Sequence, residues 1–338
     1  MELYFLGTGA GMPTRLRNVS SVALSLLHER GAVWLFDAGE GTQQQMLRSP
    51  VKPGKLEFIF LTHLHGDHLF GVPGLLTSRS YQGGTDPLTI FGPPGTRRFV
   101  ETALEVSAAR LEYELRIEEI GEGLVFEDDR FRVTAARLEH RIDSYGYRIV
   151  EKDLPGALDS ARLIAEGYRP GPLFARLKRG EKVLMPDGRL LDGADYLGPP
   201  QKGRGVVIFG DTRPCASAVE LARGADVIVH EATYMHEREK NARKYYHSTA
   251  TQAALLAQKA GAGTLIMTHV SSRYQDESVH RLLEEARAIF PNAHVAEDFW
   301  RFVVPRRSPV AECPPVPYST RTAVPLAVTI SMPSRTTS

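Results

Sequence analysis

Four side chains able to bind a metal fall within six consecutive positions of this chain. They are His63, His65, Asp67 and His68, in the run Thr62-His63-Leu64-His65-Gly66-Asp67-His68. The run follows directly on the apolar stretch 56–61, which reads as a buried strand. A strand ending there carries the four groups to one edge of a sheet. The two-residue spacing points His63 and His65 to the same side, Asp67 and His68 turn toward a second point, and Gly66 permits the tight turn between them. Without a common partner, four polar groups at one strand end would be costly. They crowd a single tetrahedral ion as well, so two adjacent ions are the economical reading.

A dinuclear site needs ligands from elsewhere, and the chain repeats the pattern of an apolar run closed by histidine or aspartate. His140 comes after 131–135, Asp211 after 206–209 and His269 after 265–267. Taken singly, each reads equally well as a structural polar group. Together they add two imidazoles and a carboxylate whose two oxygens suit a bridge. Such donors favour zinc, with manganese or another divalent ion as competitor. Two cations sharing a water would make it a nucleophile near neutral pH. His28, His236, His280 and His294 lack this context and read as structural.

The chain has 338 residues, 42% hydrophobic and 24% charged, enough to bury a core unaided, so a metal site here is chemistry rather than scaffolding. With 41 basic and 40 acidic residues, a uniformly basic coat is excluded, and any nucleic-acid contact has to be local. Cys215 and Cys313 are the only cysteines, which rules out a disulfide framework and a cysteine zinc cluster and fits a reducing cytoplasm. No export signal opens the chain, and no apolar run approaches the ~20 residues of a membrane helix, so no membrane partner is expected. Helices are expected at 217–223, 249–259 and 278–290. The glycine- and proline-rich segment 153–201 reads as an arm inserted into a single domain of residues 1–307. Residues 308–338 read as a disordered tail.

Other stretches carry a resemblance. They include Phe5-Leu6-Gly7-Thr8-Gly9-Ala10-Gly11-Met12-Pro13, Pro13-Thr14-Arg15-Leu16-Arg17-Asn18, Asp37-Ala38-Gly39-Glu40-Gly41-Thr42-Gln43 and Thr77-Ser78-Arg79-Ser80. Downstream are Gly210-Asp211-Thr212, His230-Glu231-Ala232-Thr233, His247-Ser248-Thr249 and Thr268-His269-Val270-Ser271-Ser272-Arg273-Tyr274. With the H-x-H-x-D-H motif, these resemble the metallo-β-lactamase superfamily and, within it, the short form of the ribonuclease Z family, from Met1 to about Pro305. Arg15 stands where that family has lysine, and a planar fork is not a point charge. The resemblance implies an α/β fold, the αβ/βα four-layer sandwich with a protruding flexible arm. It implies His63, His65 and His140 on one zinc, Asp67, His68 and His269 on the other, and Asp211 bridging. It also implies a homodimer, with the arm of one subunit assisting the other's site and Gly171-Pro172 as the arm's motif.

The activity so implied is removal of the 3′ trailer from precursor tRNA, by hydrolysis of the phosphodiester after the discriminator nucleotide. Asp67 is then the proton acceptor, and His247 supported by Glu231 the donor to the leaving oxygen, unless that pair merely braces a loop. Arg15, Arg17, Asn18 and Arg273 are expected on RNA phosphates, along with Arg176, Lys178 and Arg179 of the arm. Yet the arm carries seven basic and seven acidic residues, so a solvated loop is the competing reading. A thioesterase or lactonase would need neither the arm nor the arginine-rich loops, and a metal-free RNA-binding module would not need seven ligands.

Overall fold

The computed structural model describes residues 1–275 and 277–306; the expected tail over 308–338 lies outside the described residues. Two seven-stranded sheets face each other. The first runs Arg301–Val303, Glu2–Gly7, Ser21–Leu26, Ala32–Phe36, Leu56–Phe60, Leu88–Gly92 and Leu115–Glu119 in spatial order. The second runs Ala293–Val295, Thr264–Thr268, Val227–Glu231, Gly205–Phe209, Tyr145–Glu151, Phe131–Arg137 and Gly123–Glu127. Each sheet is parallel in one part and antiparallel in the other.

The continuous apolar runs follow from burial on both faces. Phe58 and Phe60 enter the core between the sheets with Trp34, Phe131 and Ile208, whereas Ile59 and Leu61 turn outward against Leu75 and Val100. On the second sheet, Val227 and Val229 face inward while Ile228 and Met267 meet the alanine-rich helix Ala250–Ala260. Helix, sheet, sheet and helix layers result, as the sequence leads one to expect. Helices lie at Ala216–Ala222, Ala250–Ala260 and Glu277–Arg287, the last ending three residues before the expected stop. Thr249 and Gln252 form a reciprocal capping box at the start of the second.

The parallel strands end at a common edge, which is where open α/β sheets bind ligands. That edge carries His63 after Leu56–Phe60, Asp211 after Gly205–Phe209, Glu231 closing Val227–Glu231, and His269 after Thr264–Thr268. The arm leaves after Glu151 and returns at Gly205, the opposite end of the same strands. It is more structured than its composition implies. Helices Ser160–Ala165 and Pro172–Lys178 and the hairpin Lys182–Leu184 with Leu190–Asp192 pack around Leu163, Tyr168, Leu177, Val183, Leu191 and Tyr196. Among the described residues, no helix is long and apolar enough to cross a membrane.

Candidate metal centre

All seven expected ligands meet at this edge. His63, His65, His140 and Asp211 form one group, and Asp67, His68 and His269 the next. Asp211 spans the two: its Oδ2 lies 3.6 Å from His63 Nε2 and 3.4 Å from His269 Nε2, and its Oδ1 3.5 Å from His68 Nε2. Asp67 Oδ2 sits 3.3 Å from His269 Nε2 and 3.6 Å from His68 Nε2.

Most of these separations are too long for good hydrogen bonds. They are near the ~3.4 Å expected between donors that share a tetrahedral ion at about 2.1 Å. His68 Nε2 is buried with no hydrogen-bond partner. A converging set of imidazoles and carboxylates with such spacing fits divalent metal.

The far ring nitrogens explain the orientation. His63 Nδ1 lies 3.0 Å from the Thr62 hydroxyl, which donates to Asp37 Oδ2 at 2.8 Å. The same Asp37 oxygen accepts from His68 Nδ1 at 2.7 Å. His140 Nδ1 donates to the Tyr246 carbonyl at 2.9 Å, and His269 Nδ1 to Thr233 Oγ1 at 2.9 Å. Each bond fixes the tautomer and turns Nε2 into the centre. His65 differs, offering Nδ1 at 3.1 Å from both His63 Nε2 and His140 Nε2.

Asp37, Tyr246 and Thr233, which hydrogen-bond the candidate ligands, are residues that the sequence did not single out. Asp37 and Tyr246 hold φ of 57° and 61°, left-handed values that aim the Asp37 carboxylate and the Tyr246 carbonyl at the ligands. The signal for Asp37 was its position: it closes the apolar run beside Leu56–Phe60 and opens a stretch that carries the family resemblance.

The electrostatics favour a cation. Burial alone would raise the Asp211 carboxyl, but His269, His68 and His63 hold it well below the ordinary range. Asp67 is also lowered, with His68 and His269 outweighing burial. Burial opposes charge on His68, yet Asp211, Asp37 and Asp67 push its pKa well above the usual imidazole value. His63 moves the other way, lowered by burial and by the other imidazoles.

Glu231 and His247 stand beside the ligands. Glu231 Oε1 accepts from His247 Nδ1 at 2.9 Å and from the Thr212 amide at 3.0 Å, and its Oε2 accepts from Thr233 Oγ1 at 2.6 Å. Burial disfavours the imidazolium, but the Glu231 carboxylate more than offsets it and raises the His247 pKa to about 9. His247 opens onto a cleft of about 420 Å³ lined also by Gly11, Met12, Asp67, Tyr234 and Arg273. The Gly11 amide donates to Asp67 Oδ2 at 2.8 Å, which ties the glycine turn to the ligand.

The residues expected on RNA are scattered. Arg15 and Arg273 are exposed, and Arg273 lines the cleft. Arg17 is turned inward and 8% exposed, its Nη1 donating to Thr8 Oγ1 and the Ala296 carbonyl; it braces the loop and does not line the cleft. Asn18 donates to the Glu40 carbonyl. Gly171 caps the arm helix that Pro172 begins. Arg176, Lys178 and Arg179 are exposed on the arm, and the two arginines are paired with Glu181.

The profile of the Beta-lactamase superfamily domain matches residues 34–154. A Ribonuclease Z of Geobacillus kaustophilus is 59% identical over 306 residues, covering 90% of this chain and 100% of that protein. One of Anoxybacillus flavithermus is 57% identical, covering 91% and 98% respectively. Among solved structures, human tRNase Z, short form, is similar with a TM-score of 0.67 and 30% identity, covering 90% of this chain and 100% of that one. The chain belongs to the ribonuclease Z family.

Proposed function

We propose that the chain is the endoribonuclease that removes the 3′ trailer from precursor tRNA. It hydrolyses the phosphodiester after the discriminator nucleotide, leaving a 3′-hydroxyl on the tRNA and a 5′-phosphate on the trailer. One observation carries this: seven converging ligands with an acid–base pair beside them, in a chain of this family. The metal would be two zinc ions per subunit, with manganese as the competitor. His63, His65 and His140 would hold one, Asp67, His68 and His269 the other, and Asp211 would serve both. When bound, the ions activate water and neutralise charge on the phosphoryl oxygens.

The protein's own groups do the rest. Asp67, positioned by the Gly11 amide, accepts the proton of the attacking water. His247, hydrogen-bonded to Glu231 and presented to the cleft, donates a proton to the departing 3′-oxygen. Arg273 and Arg15 meet phosphates near the cut.

The arm acts in a homodimer in the cytoplasm. Its root at Glu151 and the site end at Tyr145 are opposite ends of one seven-residue strand, ~20 Å apart at the strand rise. That separation favours an arm serving the partner subunit's site.

The test is cleavage of a 3′-extended precursor tRNA by purified protein, with a chelator control and a thioester and a lactone alongside. Metal-dependent cutting of the precursor alone supports the reading. An uncut precursor with a hydrolysed thioester or lactone overturns the substrate while leaving the fold and ligands intact.

A further inference from the structure

Five of the arm's seven cations are already paired with acids of the arm itself. Arg162 pairs with Glu166 at 3.0 Å, Arg176 and Arg179 share Glu181 at 2.8 Å, Lys182 meets Asp192 at 3.0 Å and Arg189 meets Asp187 at 2.7 Å. Paired charges release few counterions when RNA arrives.

The helix Glu239–Tyr245 and the turn before it are different. Arg238, Lys240, Arg243 and Lys244 are exposed, and among the described residues none forms an ion pair. Two acids share this stretch, Glu237 and Glu239, and Glu239 is engaged by Gln252 Nε2 at 3.1 Å. Four bases against two acids leave a net charge of +2 on nine residues, 237–245.

This row is fixed to the metal centre at its C-terminal end. The His247 amide donates to the Ala242 carbonyl, and the Tyr246 carbonyl accepts a hydrogen bond from His140 Nδ1. Across the gap, Arg141 lies over the Tyr245 ring at 5.3 Å, and Lys244 over the same ring at 5.2 Å. The aromatic ring thereby holds two cations in place beside a ligand and the proton donor.

We propose that the exposed face of Glu239–Tyr245, with Arg141 opposite, holds the backbone phosphates of the substrate RNA beside the cleavage point, and that this shelf rather than the arm supplies the salt-sensitive part of binding. The arm then contributes shape and apolar contact. The inference rests on the substrate reading above and says where its charge is recognised.

The experiment is steady-state cleavage of precursor tRNA by metal-loaded enzyme over a series of salt concentrations. It compares wild type, Lys240→Ala/Arg243→Ala/Lys244→Ala and Arg176→Ala/Arg179→Ala. Removing one cation from a phosphate should flatten the dependence of log(kcat/KM) on log[salt] by about 0.7–0.9. The shelf variant should therefore lose roughly two units of slope and show a KM raised ten-fold or more near 0.1 M salt. The arm variant should stay within about two-fold of wild type. Should the triple variant misfold by circular dichroism, Lys244→Gln alone is expected to remove about one unit of slope. An unchanged slope in the shelf variant, or a flattened one in the arm variant, overturns the proposal. A wild type that leaves the precursor uncut overturns the substrate reading, and this proposal with it, before any variant is compared.

Discussion

Asp37→Asn tests whether one buried carboxylate organises both halves of the centre. Asp37 Oδ1 accepts the Thr62 amide at 2.7 Å, and its Oδ2 accepts both the Thr62 hydroxyl and His68 Nδ1. All its partners donate. An asparagine amide, in either orientation, places an NH₂ against at least one of those donors and removes the charge that strengthens the rest. Asparagine tolerates the left-handed backbone at this position, so the turn itself survives. Loss of a charge-assisted hydrogen bond costs about 1.5–3 kcal/mol. At 1.4 kcal/mol per decade, that is a roughly 10- to 100-fold loss of metal affinity, the range usual for partners that orient ligands. The assay is competition for zinc against a chromogenic chelator, with thermal unfolding as the control for folding. Affinity within about three-fold of wild type in a folded variant would refute the reasoning, because His63 and His68 would then be oriented by something else.

Other substitutions separate the remaining roles. His247→Ala should lower turnover about 10²- to 10⁴-fold with bound metal unchanged; loss of metal would make it a ligand or a brace instead, read by metal analysis of the purified variant. Leu177→Asp, which puts a charge into the arm's own small core, should weaken precursor tRNA binding while bis(p-nitrophenyl) phosphate is still hydrolysed. Glu151 is buried and receives Arg204 at 2.8 Å and Arg306 at 2.9 Å; burial pushes its carboxyl up, but these arginines outweigh it and lower the pKa from 4.5. A lowered folded pKa means stability that is present above the unfolded value and lost as pH falls through the folded one. Glu151→Gln should therefore cost about 3 kcal/mol near pH 7, with the gap to wild type closing as pH drops below 4.5, measured by urea unfolding over a pH series.

The candidate ligands were legible because their signal is local. His63, His65, Asp67 and His68 are read from spacing within one turn, and His140, Asp211 and His269 from the strands they close. The partners of those ligands were not legible, since Asp37 reaches His68 only through the pairing of Ala32–Phe36 with Leu56–Phe60. Thr233 and Tyr246 act across loops in the same way. Arg17 shows the converse. Sequence pattern marks it as a cation in a loop, yet Thr14 closes a turn with it, the Thr14 amide donating to the Arg17 carbonyl and the Arg17 amide to Thr14 Oγ1, and its guanidinium meets the Ala296 carbonyl. In the arm, frequent glycine and proline mask six spaced apolar residues that form a core only when two helices and a hairpin meet. Charge pairing is equally invisible in a count: the arm's charges balance in number, and the structure shows five of its seven cations paired within the arm.

The most direct test of the central claim is cleavage of a 3′-extended precursor tRNA in H₂¹⁸O, followed by mass analysis of both products. Attack by water at the metal centre, with His247 protonating the departing oxygen, predicts one ¹⁸O in the 5′-phosphate of the trailer and an unlabelled 3′-hydroxyl on the discriminator nucleotide. A 2′,3′-cyclic phosphate on the tRNA, or a trailer without label, would contradict the account, since the nucleophile would then come from the RNA and not from water.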